Sequence, residues 1–137
     1  MNLIELLETR AAEIIGGATE AMQRTSMKHY DAETPEQIRK KLTMLYHLTE
    51  RGVNEKNAFP MVSYIEKMAE ERFAAGFDLQ EVQTAINVLE EYMWRQITED
   101  LPSGAQADAL RIIGSILGGA KDALARKYVN MNKSVKA

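Results

Sequence analysis

Apolar residues in this chain return every third or fourth position from Leu3 to Met131, and nowhere do they alternate with polar ones for long enough to build a strand. An α-helix turns once in about 3.6 residues, so this spacing gathers apolar groups on one face, whereas a half-buried strand needs a period of two. The pattern predicts an all-α fold, a single-domain bundle of about five helices.

The first predicted helix carries Leu3, Leu7, Ala11, Ile14, Ala18 and Met22 on one face and ends before Asp31. Thr34-Pro35-Glu36-Gln37 starts a second: Thr34 can accept from an unpaired N–H, Pro35 suits the first helical position, and Gln37 can reach back to the cap. Its face is Ile38, Leu42, Leu45 and Leu48 or Thr49, and Gly52 is the expected left-handed terminator. Beyond the polar stretch Asn54-Glu55-Lys56-Asn57, Pro60 leads into a third helix with Val62, Ile65, Ala69 and Phe73 on one side, closed by Gly76. Asp78-Leu79-Gln80-Glu81 is a capping box, and it opens the most regular segment, Leu79, Val82, Ile86, Leu89, Met93 and Ile97. After a turn at Asp100-Leu101-Pro102-Ser103-Gly104, a long final helix carries Leu110, Ile113, Leu117, Ala120, Leu124, Tyr128 and Met131, with residues 131–137 expected to fray. No repeat, low-complexity block or long linker divides residues 1–137, which read as one domain.

A chain of 137 residues buries on the order of two-thirds of its unfolded surface, enough to fold without covalent staples, and it has no cysteine. Without thiols there are no disulfides, thiolate metal sites or cysteine nucleophiles, and a reducing compartment, the cytoplasm, is expected. The N-terminus Met1-Asn2-Leu3-Ile4-Glu5 lacks the basic and apolar regions of a signal peptide, and no run of about 18 apolar residues occurs, so no membrane association is expected. With 20 acidic and 17 basic residues scattered along the chain, no field for polyanions is implied and no nucleic-acid partner is expected. Arg39-Lys40-Lys41, and Arg126-Lys127 with Lys133 and Lys136, read as a solvated face and tail rather than phosphate sites.

Catalytic chemistry finds little to build on. The only histidines are His29 and His47, and the residues three before them are Ser26 and Met44, so the paired Glu-x-x-His motifs of a bundle di-iron centre are missing. His47 and Glu50 sit one turn apart and could hold one edge of a metal, but a zinc site needs more ligands, and an exposed histidine beside a surface glutamate is the plainer reading. His29, beside Tyr30 and Asp31 at a helix end, reads as a capping or loop contact. Carboxylates such as Glu66 and Glu70, or Glu90 and Glu91, flank the apolar stripes as solvated surface, and no serine sits in a nucleophile elbow or phosphate loop. The expectation is a chain that is not an enzyme and carries no metal and no cofactor.

Binding features are more informative. Gly114, Gly118 and Gly119 fall inside a predicted helix, where each costs about 1 kcal/mol relative to alanine, so close packing against another backbone is expected, within the domain or at a dimer seam. Gly16-Gly17 play the same part in the first helix or bend it. Ile112 and Ile116, and Leu6 and Ile15, lie off the main stripes, and two-sided apolarity needs two burial partners. A homodimer through the first and last helices is therefore expected, with Ile15, Gly114, Ile116 and Gly118 at the interface. A small apolar ligand is expected between the central helices, against Tyr46, Tyr64, Met68, Ile86 and Met93, although methionines and tyrosines also serve as core filler and boundary residues. Asn87, next to a core position, is an expected partly buried polar group.

Ala69 to Ile97, AEERFAAGFDLQEVQTAINVLEEYMWRQI, resembles the helix, Gly-Phe turn and helix of the N-terminal sensory domains of bacterial RsbR-type (RsbRD N-terminal-like) stress regulators and related sensor histidine kinases. Arg72, Gly76, Phe77, Leu79, Glu81 and Val82 carry the match, over about a fifth of the chain. The resemblance implies a globin-like helical fold without haem that pairs as a dimer and passes a signal to an output domain. No output domain follows before Ala137, so a signalling partner in trans is expected, and His47 comes too early in the chain for the iron-binding histidine of globins. A structural or adaptor protein with no small ligand is the alternative, which a packed core without a pocket would favour; a helical enzyme would need two acids and a histidine converging on a cavity.

Overall fold

The computed structural model of the chain describes residues 1–25 and 33–136, and every regular element among them is an α-helix. His29, Tyr30 and Asp31 lie outside the described residues. Six helices are present where the spacing predicted five: α1 (Leu3–Thr9), α2 (Ala11–Arg24), α3 (Pro35–Glu55), α4 (Phe59–Ala74), α5 (Leu79–Asp100) and α6 (Ser103–Lys136).

The extra helix arises because the first predicted segment breaks at Arg10, whose φ of −108° and ψ of 15° leave the helical range. Arg10 is held there from the end of α5, its Nε donating to Asp100 Oδ2 at 2.8 Å. The break answers the two-sided apolarity of this region. On either side of it α1 and α2 both pack against α3 and α5, and Leu6 and Ile15 are buried inside the domain along with the main stripe. Asn2 caps α1 reciprocally: Glu5 N–H donates to Asn2 Oδ1 at 2.9 Å and Asn2 N–H to Glu5 Oε1 at 3.3 Å.

Thr34 and Gln37 form the expected box at the start of α3, with Gln37 N–H to Thr34 Oγ1 at 3.2 Å and Thr34 N–H to Gln37 Oε1 at 2.8 Å. The end of α3 differs from expectation. Gly52 does not terminate it; the helix runs on to Glu55 and stops at Lys56, the one non-glycine residue with positive φ (54°) among those described. A lysine in this left-handed conformation carries strain on the order of 1 kcal/mol, because its Cβ crowds the following carbonyl. Gly52 instead allows a close approach: a Cβ there would lie 3.1 Å from Ile116 Cδ1 and 3.3 Å from the Asn57 carbonyl. Gly17 does the same on α2, where a Cβ would fall 2.6 Å from the Tyr92 ring.

α6 is the backbone of the bundle. Its 34 residues span roughly 50 Å, and it packs on α3, α4 and α5 through a face including Ala109, Ile113, Leu117, Ala120, Leu124 and Tyr128. The helix continues to Lys136, through the tail expected to fray. The predicted α5 stripe is buried from Val82 to Ile97, with Leu79 partly covered. Buried hydroxyls of Thr19 and Thr49 donate to carbonyls one turn back, at 2.7 and 2.8 Å, so they leave no unmet polar group in the core. Among the described residues no helix is long and apolar enough to cross a membrane.

Candidate functional site

The Gly-Phe turn joins four helices. After α4, Gly76 adopts φ 87°, which lets its N–H reach the Phe73 carbonyl at 3.1 Å and the Phe77 N–H reach the Arg72 carbonyl at 2.9 Å, closing the helix as a Schellman turn. Asp78 N–H then donates to Glu81 Oε1 at 3.0 Å and opens α5. The turn is bound to α6 by the Tyr128 hydroxyl, which donates to the Phe77 carbonyl at 2.9 Å, and by an edge-on contact of Tyr128 with Phe73 at 5.5 Å. It is bound to α3 through charge. The Arg72 guanidinium lies 5.0 Å from the Phe77 ring centroid and Lys41 Nζ 5.8 Å from it, and Glu33 pairs with both cations. Burial pulls the Lys41 ammonium below its ordinary pKa, against the hydrogen bond it donates to Glu33. The same cause pushes the Tyr128 phenol up. Charge-assisted contacts over a partly buried aromatic ring thus tie the turn to its neighbouring helices.

The residues expected to line a ligand pocket occupy the core. Ile86 and Met93 are fully buried in α5, Met68 is buried in α4, and Tyr46 is fully buried with its hydroxyl donating to the Leu7 carbonyl at 2.5 Å. Burial pushes the Tyr46 phenol far above its ordinary pKa, with Glu50 and Glu13 adding to the shift. Tyr64 is separated from these: half-buried, it borders a shallow surface groove with Leu48, Phe59 and Pro60. Asn87 is exposed on α5 and drops out as a buried polar group.

The residues expected at a subunit seam divide in two. Ile15 and Ile116 are 5% and 6% exposed, so the domain itself already covers them. Gly114 and Gly118, with Gly119, flank the buried face of α6, and a Cβ added at any of the three meets nothing within 4 Å. Close packing inside the domain is thus the answer at Gly17 and Gly52 and is not the answer on α6.

Concavity is found elsewhere. A groove of about 740 Å³ opens between the start of α1, the end of α3 and the middle of α6. Leu3, Val53 and Ile116 form its buried floor, and Ile4, 41% exposed, with the half-buried Ile112 forms its walls. Lys56 and Arg111 stand on its rim with the neutral polar groups of Asn57 and Ser115. Of its apolar lining, Leu3, Ile112 and Ile116 were singled out from the sequence. Ile4 carried a usable signal, an apolar residue off the α1 stripe, but Lys56 and Arg111 reach the groove through tertiary placement alone.

His47 Nδ1 lies 3.2 Å from Glu50 Oε1 on the exposed side of α3. Among the described residues no three of His, Asp and Glu come together as a metal would require. Two further charged contacts tie helices: Lys121 to the buried Glu90 at 3.0 Å, and Lys127 to Glu70 at 2.8 Å.

Comparison with curated proteins and with solved structures finds no match. Residues 5–128, a span that takes in all six helices in whole or in part, match the family described as RsbT co-antagonist protein rsbRD N-terminal domain. The motif that had pointed that way, Arg72 through Val82, is the joint on which α3, α4, α5 and α6 converge, and the chain belongs to the RsbRD N-terminal-domain family.

Proposed function

We infer that the chain is a non-catalytic signalling domain of the RsbT partner-switching system, acting in the cytoplasm as a homodimer and passing its signal in trans to a partner protein. The family match over residues 5–128 carries this reading. A haem-free, globin-related arrangement and a small apolar ligand belong to the same inference, by the resemblance. The test is direct association of the purified chain with purified RsbT and with the output domains of its co-antagonists, followed by sedimentation. Association with one of them is the expected result; failure of all of them to bind at tens of micromolar overturns the reading.

For the dimer, we place the seam on the glycine flank of α6. Each glycine there costs about 1 kcal/mol relative to alanine, and among the described residues no group uses the room they leave. A second α6 approaching at Gly114 and Gly118 would use it. Gly118→Arg fills that space without touching the core. Sedimentation velocity across the micromolar range should give a dimer for the wild type and a monomer for the variant. A wild-type monomer at the highest concentration removes the dimer, and a dimeric variant moves the seam off this flank.

A further inference from the structure

We propose that the groove between α1, α3 and α6 binds a single-chain anionic amphiphile, an acyl chain with one carboxylate head. The proposal deepens the sensory reading above by naming a site and a ligand class, and it rests on that reading for its purpose. At about 740 Å³ the groove falls within the range of small-molecule sites, roughly 300–1,000 Å³.

Its chemistry is divided in the way an amphiphile requires. Floor and walls are aliphatic, and Ile4 is left 41% exposed beside the concavity, where a buried acyl chain would cover it. The floor depends on Gly52, since a side chain there would press on Ile116 at 3.1 Å and narrow the cleft between α3 and α6. The rim is cationic: Lys56 and Arg111 border the groove, and none of the described residues lining it is acidic. Arg111 has Asp108 at 3.6 Å one turn away, but that pair is exposed and the guanidinium keeps further donors.

Two further features favour an anionic head over a neutral one. The carbonyl end of α3 and the amide end of α4 meet at residues 56–58, so their opposite dipoles offset and the side chains set the local charge. Lys56 also occupies a left-handed position (φ 54°) where glycine would be unstrained. The chain holds an ammonium at the mouth of an apolar groove despite that strain.

The test is calorimetric titration of the delipidated full chain with sodium decanoate, below its micelle concentration, and with decanol. Lys56→Gly removes the cation while relieving the backbone, so the variant folds at least as well as the wild type, and Arg111→Gln supplies a second, surface variant. One-to-one decanoate binding is expected, weakened about tenfold in Lys56→Gly and further in the double variant, as for loss of a charge-assisted contact. Decanol should bind more weakly than decanoate and be indifferent to both substitutions. No saturable binding of decanoate, equal affinity for decanol, undiminished decanoate binding in the double variant, or binding only to anionic vesicles would each overturn the proposal. Because decanoate binding and RsbT-system association are read separately, failure of one leaves the other standing.

Discussion

Alanine at Gly17 and alanine at Gly118 make the same chemical change inside two helices, yet they should move stability in opposite directions. In a helix interior alanine is favoured over glycine by about 1 kcal/mol. Nothing opposes that gain at Gly118, where a Cβ meets no atom within 4 Å. At Gly17 the new carbon would fall 2.6 Å from Cδ1 and Cε1 of Tyr92, about 1 Å inside the separation at which carbon pairs attract. The ring must move, and it is held: its hydroxyl accepts from Arg24 at 3.4 Å, and the Arg95 guanidinium lies 4.8 Å from its centroid. Overpacking of this kind costs roughly 1–3 kcal/mol, so after the helical gain the net loss is about 1 kcal/mol. The two variants should then differ by about 2 kcal/mol. In urea, with a slope of about 2 kcal/mol per molar, the midpoint of Gly118→Ala rises by about 0.5 M and that of Gly17→Ala falls by as much. Far-UV circular dichroism at low micromolar concentration limits any contribution from self-association. A stabilised Gly17→Ala protein would refute the seating of Tyr92 on α2, and a destabilised Gly118→Ala protein would show that the domain does fill the space beside α6.

Tyr46→Phe removes a buried donor and leaves the Leu7 carbonyl without it, so urea denaturation should show a loss of about 1–2 kcal/mol; an unchanged midpoint would mean that the bond contributes nothing. Thr34→Ala removes the hydroxyl that accepts from the Gln37 N–H at the start of α3 and should cost about 1 kcal/mol by the same assay. Tyr46, Tyr64 and Tyr128 have phenols raised by burial. A raised folded pKa contributes stability that is fully present below the unfolded value near 10 and is lost as pH rises through the folded value. Phenolate absorbance of these three should therefore appear together with the loss of helix above about pH 10, and full titration of all tyrosines with circular dichroism intact would contradict the burial. Asp100 runs the other way: the hydrogen bond from Gln96 and then Arg10 lower its pKa, so its contribution is present above the ordinary Asp value and lost as pH falls. Asp100→Asn should flatten the acid limb of the stability curve, and an acid limb identical to wild type would show that the Arg10 break is not held by charge.

Local signals were legible where the physics is local. Thr34 with Gln37, Asp78 with Glu81, and Gly76 each depend on atoms within a few residues, and each is found as the sequence implies. Asn2 with Glu5 is the same kind of signal and could have been read from Asn-Leu-Ile-Glu. Other features depend on residues far along the chain. Arg10 is neither glycine nor proline, and its break is tied to Asp100, 90 positions away. Gly52 near a helix end reads as a terminator until Ile116 is known to press against it. Lys56 in a left-handed turn carries no sequence mark at all. The off-stripe residues Leu6, Ile15 and Ile116 announced a second burial surface, but only the bend at Arg10 and the packing of α6 reveal that the domain supplies it. The groove draws on three separate helices, so no single segment could display it.

α6 passes, in order along one axis, the groove at Ile112 and Ile116, the open flank from Gly114 to Gly119, and the Gly-Phe joint at Tyr128. From Ile112 to Tyr128 is roughly 24 Å of uninterrupted helix. A rod of that length has few ways to answer a push: it can roll, slide or tilt, and each of these moves is felt at both ends at once. The groove, the open flank and the turn all lie along the same shaft, so a message between them need not cross a single loop.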